Sequence, residues 1–522
     1  MELEALLAIG MFAAAIIALM AGYPVALTLG GTALLFAFIG IGLDVFPEPL
    51  LRIYPARIQG AMENQILIAV PLFVLMGVIL ERSKVAEDLL HIAGRMLGRV
   101  RGGMGYAVII VGALLAASTG IVGATVIMMT LIALPSMLKQ GYDPRLAAGT
   151  IAASGTLGQI IPPSIVLILL ADAVSTANQA ASSVSGSGPS VVSVGDLFAG
   201  ALIPGFMLVG LYLLYMAANA IFRPSSCPPL IEDDDVAPLT VREVVLGLGA
   251  PLLLIIAVLG SILGGLASPT EASAIGAGGA LLLAGMRLSG AHGTRALAAI
   301  IITAFAALIV LGALKANLDL RPGGDSSQIG IIAAVLACLT VVAGIIAALI
   351  VLLRAAQLIP AMKSGTQITS MVFLILIGAS LFSLVFRGFG GDDLVADLLK
   401  AAPGGLWGAL ALTMLVMFLM GFFLDFIEIV FVVVPLVAPP LIILGADPIW
   451  LAILMALNLQ TSFLTPPFGF ALFYLRGAAP AELKTLDIWR GAIPFIGLQL
   501  LLIALVAAIP AIATWLPRSM VG

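Results

Sequence analysis

The chain is predicted to be an all-α, polytopic membrane protein built from two inverted repeats with broken helices and re-entrant hairpins. Composition is the first ground. Of 522 residues, 62% are hydrophobic and only 10% charged, with a mean hydropathy of +1.22. That is more apolar surface than a soluble fold can cover. The second ground is a succession of apolar runs near the length that crosses a bilayer, joined by short polar stretches. The third is a repeated punctuation. Tyr142, Asp143 and Pro144, then Pro162 and Pro163, recur 304 residues later as Ala446, Asp447 and Pro448, then Pro466 and Pro467. In each copy an Asp-Pro step opens an apolar run that a Pro-Pro pair interrupts before the run has crossed a membrane. Such breaks in both halves of a chain are the sequence signature of a secondary transporter's binding site.

The elements follow in order. The first run, 4–22, begins Met-Glu-Leu-Glu without a basic leader or cleavage site and reads as a retained span. A second run, 25–43, follows Gly22-Tyr23-Pro24, and a third, 65–80, opens the first repeat, about 65–172. In the stretch 81–101, Val85, Leu89, Ile92 and Met96 form one apolar stripe beside Arg82, Lys84, Arg95, Arg99 and Arg101. That pattern is an amphipathic helix, lying either in the membrane interface or against neighbouring protein. Runs 105–118 and 121–138 are divided at Ala117–Gly123, and run 146–172 is divided at Gly155–Ser164. A flexible Ser/Gly loop is expected at 173–196, then a span at 197–221. The polar stretch 222–243, with Pro224, Pro228, Pro229 and Glu232 to Asp235, joins a first half, 1–221, to a second, 244–522.

The second half opens with runs 244–266 and 270–288. Between them, Ser268-Pro269-Thr270-Glu271 places Ser at N-cap, Pro at N1 and Glu at N3, so Glu271 is expected to be a cap rather than a site residue. Runs 295–315 and 328–353 form an additional pair of spans around a turn at 317–328, and Lys315 is expected to snorkel. The second repeat, about 366–475, then presents a span at 366–386, a polar stretch at 387–400, runs 404–423 and 426–444 parted at Gly421–Asp425, and run 450–475 interrupted at Asn458–Gly469. A last run covers 491–517. The stretch after the first repeat's opening span is basic, whereas its counterpart sets Arg387 and Lys400 against Asp392, Asp393 and Asp397. Basic residues near spans favour the cytoplasmic side, so equivalent elements should face opposite sides of the membrane.

Several function classes are excluded by what the chain lacks. The net charge is only −4, with no basic cluster for a nucleic-acid partner. His91 and His292 are too isolated for a metal site, and Cys227 and Cys338 are not expected to pair. There is no GxxxxGK[ST], GxSxG, HExxH or CxxC, so neither an ATP-driven pump nor an enzyme is indicated. At the breaks, glycine lets the backbone leave the helix, while proline removes an amide and displaces earlier carbonyls. The product is a set of bare carbonyl oxygens beside Ser, Thr and Asn side chains, suited to a hard monovalent cation, with half-helix amino ends that favour a carboxylate. Asp425 and Glu428 stand in an apolar setting, where ionisable groups usually mark a function. They line a cavity or lie on a solvated hairpin tip. Asp425, Asn458 and Ser154 are the candidates for a substrate cavity.

At these residues the chain resembles the large membrane subunit of the tripartite ATP-independent periplasmic (TRAP) transporters over nearly its whole length. The resemblance rests on Gly22-Tyr23-Pro24-Val25-Ala26, Pro71 to Gly77, Gly158 to Ser164, Ser268 to Ala272 and Thr465 to Gly469. It implies a sodium-coupled elevator with scaffold and transport domains in a bacterial inner membrane, with sodium as coupling ion and no other cofactor. It also implies a small four-helix membrane subunit, a periplasmic substrate-binding protein and a small organic anion as substrate. Carried over by motif, one sodium site uses oxygens around Ser118, Thr119, Gly158, Ile161 and Pro163. The other uses those around Gly421, Ser462, Thr465 and Phe468. Ser462 stands where that family usually has glycine, and the first hairpin tip is longer than in many members. The extra spans and the Ser/Gly loop resemble a longer subgroup associated with mannitol, chloroaromatic compounds and 2-oxo acids, and a monocarboxylate is expected. The alternatives are a stand-alone sodium/dicarboxylate symporter, whose Ser-Asn-Thr signatures are absent, and a non-transporting membrane assembly, which leaves the paired breaks unexplained.

Overall fold

The computed structural model describes residues 3–83, 85–120, 122–186, 191–229, 240–289 and 328–521. Among them there is no strand, and nine helices are long and apolar enough to cross a membrane. Helices α1 (Leu3–Met20) and α2 (Val25–Gly42) are followed by α3 (Tyr54–Glu63) and α4 (Gln65–Arg82). Next come α5 (Val85–Leu97), α6 (Gly103–Thr119), α7 (Val122–Lys139), α8 (Pro144–Thr156) and α9 (Ile165–Ser185). Helix α10 (Val194–Phe222) leads to α11 (Val241–Val244), α12 (Ala250–Leu263), α13 (Pro269–Leu288) and α14 (Gln328–Arg354). The second repeat then runs as α15 (Leu358–Gly388), α16 (Gly391–Lys400), α17 (Leu406–Met420), α18 (Phe426–Val432), α19 (Val434–Ile443), α20 (Pro448–Leu464) and α21 (Phe470–Ala478). Helices α22 (Thr485–Ala508) and α23 (Ala511–Val521) close the chain.

The order from α4 to α9 is repeated from α15 to α21. Each copy has a long span, a short amphipathic helix, a hairpin and a helix pair split at Pro-Pro. The Asp-Pro punctuation that marks the copies has a mechanical origin. Asp143 and Asp447 are N-caps whose carboxylates accept amide hydrogens of Arg145 (2.8 Å) and of Ile449 and Trp450 (3.0 Å each). Pro144 and Pro448 take the first helical position, where no amide is needed. Glu271 is likewise the cap expected of it, accepting from the Ser268 amide at 2.7 Å. The opening spans α4 and α15 pack on each other, α4 also on α13 and α15 also on α2. Around α1, α2 and α15 lies a separate core that includes Met11, Leu29, Phe382 and Phe389. The hairpins and split helices share the larger core.

Four details differ from the expectation. The stretch 173–196 is not a loop throughout, because α9 stays helical to Ser185, its alanines and Val174 packing into the core between the serines. Run 426–444 is two helices bent by 54° at Val433, where Pro435 removes an amide and displaces the preceding turn. Run 491–517 is likewise parted just before Pro510. Run 450–475 is not broken at Asn458, since α20 remains helical to Leu464. The extra span at 295–315, Lys315 and the turn at 317–327 lie outside the described residues, as does 230–239 of the join. The start of the join is pinned to the first repeat, with Ser226 and Cys227 carbonyls accepting from the amides of Asp143 (2.9 Å) and Gly102 (3.0 Å).

Candidate functional site

In each repeat the hairpin tip lies against the broken helix pair, and close backbone approach makes this possible. Helix α6 ends on Gly120 in the left-handed conformation (φ +60°), and a Cβ built there would meet the Ile165 backbone nitrogen at 3.5 Å. A Cβ on Gly158 would meet the Ala116 Cα at 3.6 Å. The first tip and the first break are thus one unit, containing Gly158, Ile161 and Pro163. Ser118 and Thr119 end α6 beside them, but their side chains lie outside the described residues. In the second unit a Cβ on Gly421 would fall 2.2 Å from the Ser462 hydroxyl. Phe468 packs its ring on Phe422 and Phe423, with centroids 6.3 and 5.3 Å away. The structure therefore brings Gly421, Ser462 and Phe468 together, with Thr465 at the end of the same helix.

The two breaks are equivalent in position and different in form. Helix α8 gives way at Thr156 to a tight turn, Leu157–Gln159, whereas α20 continues to Leu464. Gly155 and Gly158 of the first copy correspond, at the 304-residue offset, to Leu459 and Ser462 of the second, so only the first has glycines to release the backbone early. Both Pro-Pro bonds are cis. The Ser462 and Thr465 hydroxyls donate back to the carbonyls of Leu459 (2.8 Å) and Thr461 (2.7 Å). Each hydroxyl spends its hydrogen on the helix and keeps lone pairs for a cation.

Between the two tips opens a cavity of about 610 Å³. Its wall includes Gly120, Val122 and Gly123 of the first tip and Asp425, Phe426 and Ile427 of the second. Phe463 and Tyr474 contribute from the second break, and Glu81, Ile368 and Met371 from the opening spans. Asp425 is both at the cavity and a helix cap: it accepts from the Phe426 amide at 2.7 Å, and the Glu428 carboxylate accepts from the Asp425 amide. Glu428 is buried behind it. The other two cavity candidates lie away from this lining. Ser154 is fully buried, and a Cβ on Gly112 would press to 2.6 Å from its Cβ. Asn458 donates its side-chain amide to the Met414 carbonyl at 2.8 Å. Asn458 thus ties a hairpin arm to a broken helix, and Ser154 packs closely where the other arm meets its own.

Sequence reasoning did not single out Glu81, Gly123, Tyr474 or Gln159. A Cβ on Gly123 would strike the Tyr474 ring at 2.9 Å, so that glycine seats the tyrosine at the cavity. Gln159 is fully buried, and among the described residues its side-chain amide has no hydrogen-bond partner. A polar residue within the Gly158–Ser164 break was the available signal for Gln159. Gly123 closes the Ala117–Gly123 break, whereas nothing local marks Glu81 or Tyr474, which are brought to the cavity by tertiary contact. No group of His, Cys, Asp and Glu that could hold a metal ion occurs among the described residues.

A protein-family profile described as tripartite ATP-independent periplasmic transporter, DctM component, matches residues 11–320 and 322–512. The chain belongs to that family. It is 27% identical over 504 residues to the C4-dicarboxylate TRAP transporter large permease of Vibrio cholerae, covering 96% of this chain and 95% of the relative. It is 26% identical to the ectoine TRAP large permease of Halomonas elongata (95% and 96% covered) and 23% to the sialic acid TRAP large permease of V. cholerae (97% of each). Among solved structures, the YdaH transporter of Alcanivorax borkumensis superposes with a TM-score of 0.52 at 16% identity, covering 90% of this chain and 88% of that one, a likeness of fold. As a TRAP large permease, the chain is a multi-pass protein of a bacterial inner membrane. It carries out secondary transport with a small membrane subunit and a periplasmic binding protein, and is not an enzyme.

Proposed function

We propose that this permease imports a small organic acid coupled to sodium by an elevator movement. The observation that carries the reading is the cavity between two hairpin tips, each tip seated on a helix break. A broken helix within a membrane is sustained where its freed backbone groups find protein, water or a ligand. Here each break has carbonyl oxygens that Pro-Pro leaves without the usual amide partners. The first sodium would be held around Ser118, Thr119, Gly158, Ile161 and Pro163, and the second around Gly421, Ser462, Thr465 and Phe468. The substrate would lie in the cavity between them, with its carboxylate near the amino end of α7, beside Gly120 and the Tyr474 ring seated on Gly123. Asp425, at the second tip, would meet its other end. Relatives named for C4-dicarboxylates, ectoine and sialic acid, all small carboxylic acids, support that substrate class.

The helices from α6 to α9 and from α17 to α21 would move as the transport domain. Helices α4 and α15, which pack on each other, would remain with the scaffold. Sodium bound at both breaks offsets the cost of a carboxylate at membrane depth, so that only the loaded form crosses easily. The test is uptake by the permease, its small subunit and the loaded binding protein reconstituted together in liposomes. An inward sodium gradient should drive accumulation, and omission of the binding protein should abolish it. Equal uptake with potassium replacing sodium on both sides would refute the coupling.

A further inference from the structure

We propose that Thr156 and Gln460 form a hydrogen-bonded pair on the pseudo-two-fold axis that couples the two ion sites. The inference rests on the sodium reading above. The Gln460 side-chain amide donates to the Thr156 hydroxyl at 3.3 Å, across a separation of 304 residues. That separation equals the offset of the repeats, by which Asp143 maps to Asp447 and Pro162 to Pro466. Residues related by a two-fold lie on opposite sides of the axis at equal distance from it. Two equivalents that touch must therefore have the axis passing between them. The pair marks the place where the two breaks meet.

Its position suits transmission. Each partner precedes a site residue by two, Thr156 before Gly158 and Gln460 before Ser462, and both are fully buried. The Thr156 hydroxyl donates to the Ala153 carbonyl at 2.8 Å, which leaves its lone pairs for Gln460. Thr156 is also within hydrogen-bonding reach of the buried Tyr212 hydroxyl, which accepts from Gln499 at 2.8 Å. A cation that draws the oxygens around Ser462 and Thr465 inward moves the last turns of α20, and Gln460 with them. The bond passes that movement to the start of the Leu157–Gln159 turn, which carries the first site. Both partners are neutral, so the effect travels by position and not by charge. A hydrogen bond of ordinary strength limits the coupling to roughly three- to tenfold in affinity.

The experiment measures substrate uptake against sodium concentration in liposomes holding the complete complex. Wild type is compared with Thr156→Val, Gln460→Met, the double variant and Thr156→Ser. Wild type should rise sigmoidally with a Hill coefficient of about 1.3 to 1.5, the value that a three- to tenfold coupling of two required ions gives. Thr156→Val and Gln460→Met should each lower it to about 1.2, the value for two required but uncoupled ions, and raise half-saturating sodium roughly two- to sixfold. The double variant should be no worse than either single one, and Thr156→Ser, which keeps the hydroxyl, should behave as wild type. If one substitution prevents folding, the other still reads the same bond. Sodium-dependent uptake whose cooperativity is unchanged in the variants would overturn the coupling alone. Sodium-independent uptake in wild type would overturn the sodium reading, and the coupling with it.

Discussion

Ser462 occupies a position where a glycine would release the helix, and the structure accommodates its side chain by removing one from the facing residue. A Cβ on Gly421 would lie 2.2 Å from the Ser462 hydroxyl and 2.9 Å from its Cβ. Gly421→Ala alone should therefore push the hairpin tip off the break and cost most of the uptake. Gly421→Ala with Ser462→Gly removes both colliding atoms and should recover uptake at saturating sodium, the next atom in reach being the Met417 carbonyl at 3.4 Å. Uptake by both variants at matched expression checks this, and a double variant as inactive as the single one would place the clash elsewhere. Thr465 tests the proposed second ion site differently. Its hydroxyl hydrogen is committed to the Thr461 carbonyl at 2.7 Å, so only its oxygen is available to a cation. Thr465→Val keeps the shape and deletes that oxygen. Half-saturating sodium should rise by an amount equivalent to roughly 1–3 kcal/mol, while Thr465→Ser stays near wild type. An unchanged sodium dependence in Thr465→Val would leave the threonine as a helix end only. These residues were legible because Gly, Pro, Ser and Thr cluster at two matching places. Tyr474 and Glu81 were not, because their role exists only once distant helices enclose the cavity.

Among elements, the crossing of α8 and α22 is the tightest support of the first break. A Cβ on Gly149 would stand 2.1 Å from the Gly491 carbonyl oxygen, and one on Gly491 would stand 2.1 Å from that of Arg145. Backbone atoms cannot swing aside, so the helices would have to separate; small residues serve this purpose in membranes. Gly491→Ala should destabilise the permease by roughly 1–3 kcal/mol, as overpacking does. Gly497 lies on the same helix with nothing within 4 Å of a Cβ. There the same substitution should be neutral or stabilising by up to about 1 kcal/mol, the helix preference of alanine over glycine. Thermal unfolding in detergent compares the two, and equal shifts would contradict the close crossing. Element existence was legible from apolar runs, and the capping box at Ser268 from its Ser-x-x-Glu spacing, whereas the boxes at Ser193 and Asp425 were not. The ends of α9 and α20 were not, since a Ser-rich stretch and the polar run Asn458 to Ser462 stay helical when the surrounding core fills their other faces. The bend at Val433 was marked by Pro435 but hidden within one long apolar run.

For the whole molecule, the repeat offset is the organising fact. It aligns two N-caps, two cis Pro-Pro pairs and the Thr156–Gln460 contact, and it leaves one cavity between two unlike tips. A device with ion sites on both sides of one substrate cavity ties the substrate's passage to the ions, which is the central claim. It is tested most directly by measuring radioactive sodium and substrate entering the same liposomes, which hold the complete complex with loaded binding protein outside. The account predicts sodium influx that appears only with substrate, at more than one sodium per substrate molecule, and that is lost together with substrate uptake in Gly421→Ala. Substrate entry at the full rate without accompanying sodium would contradict it.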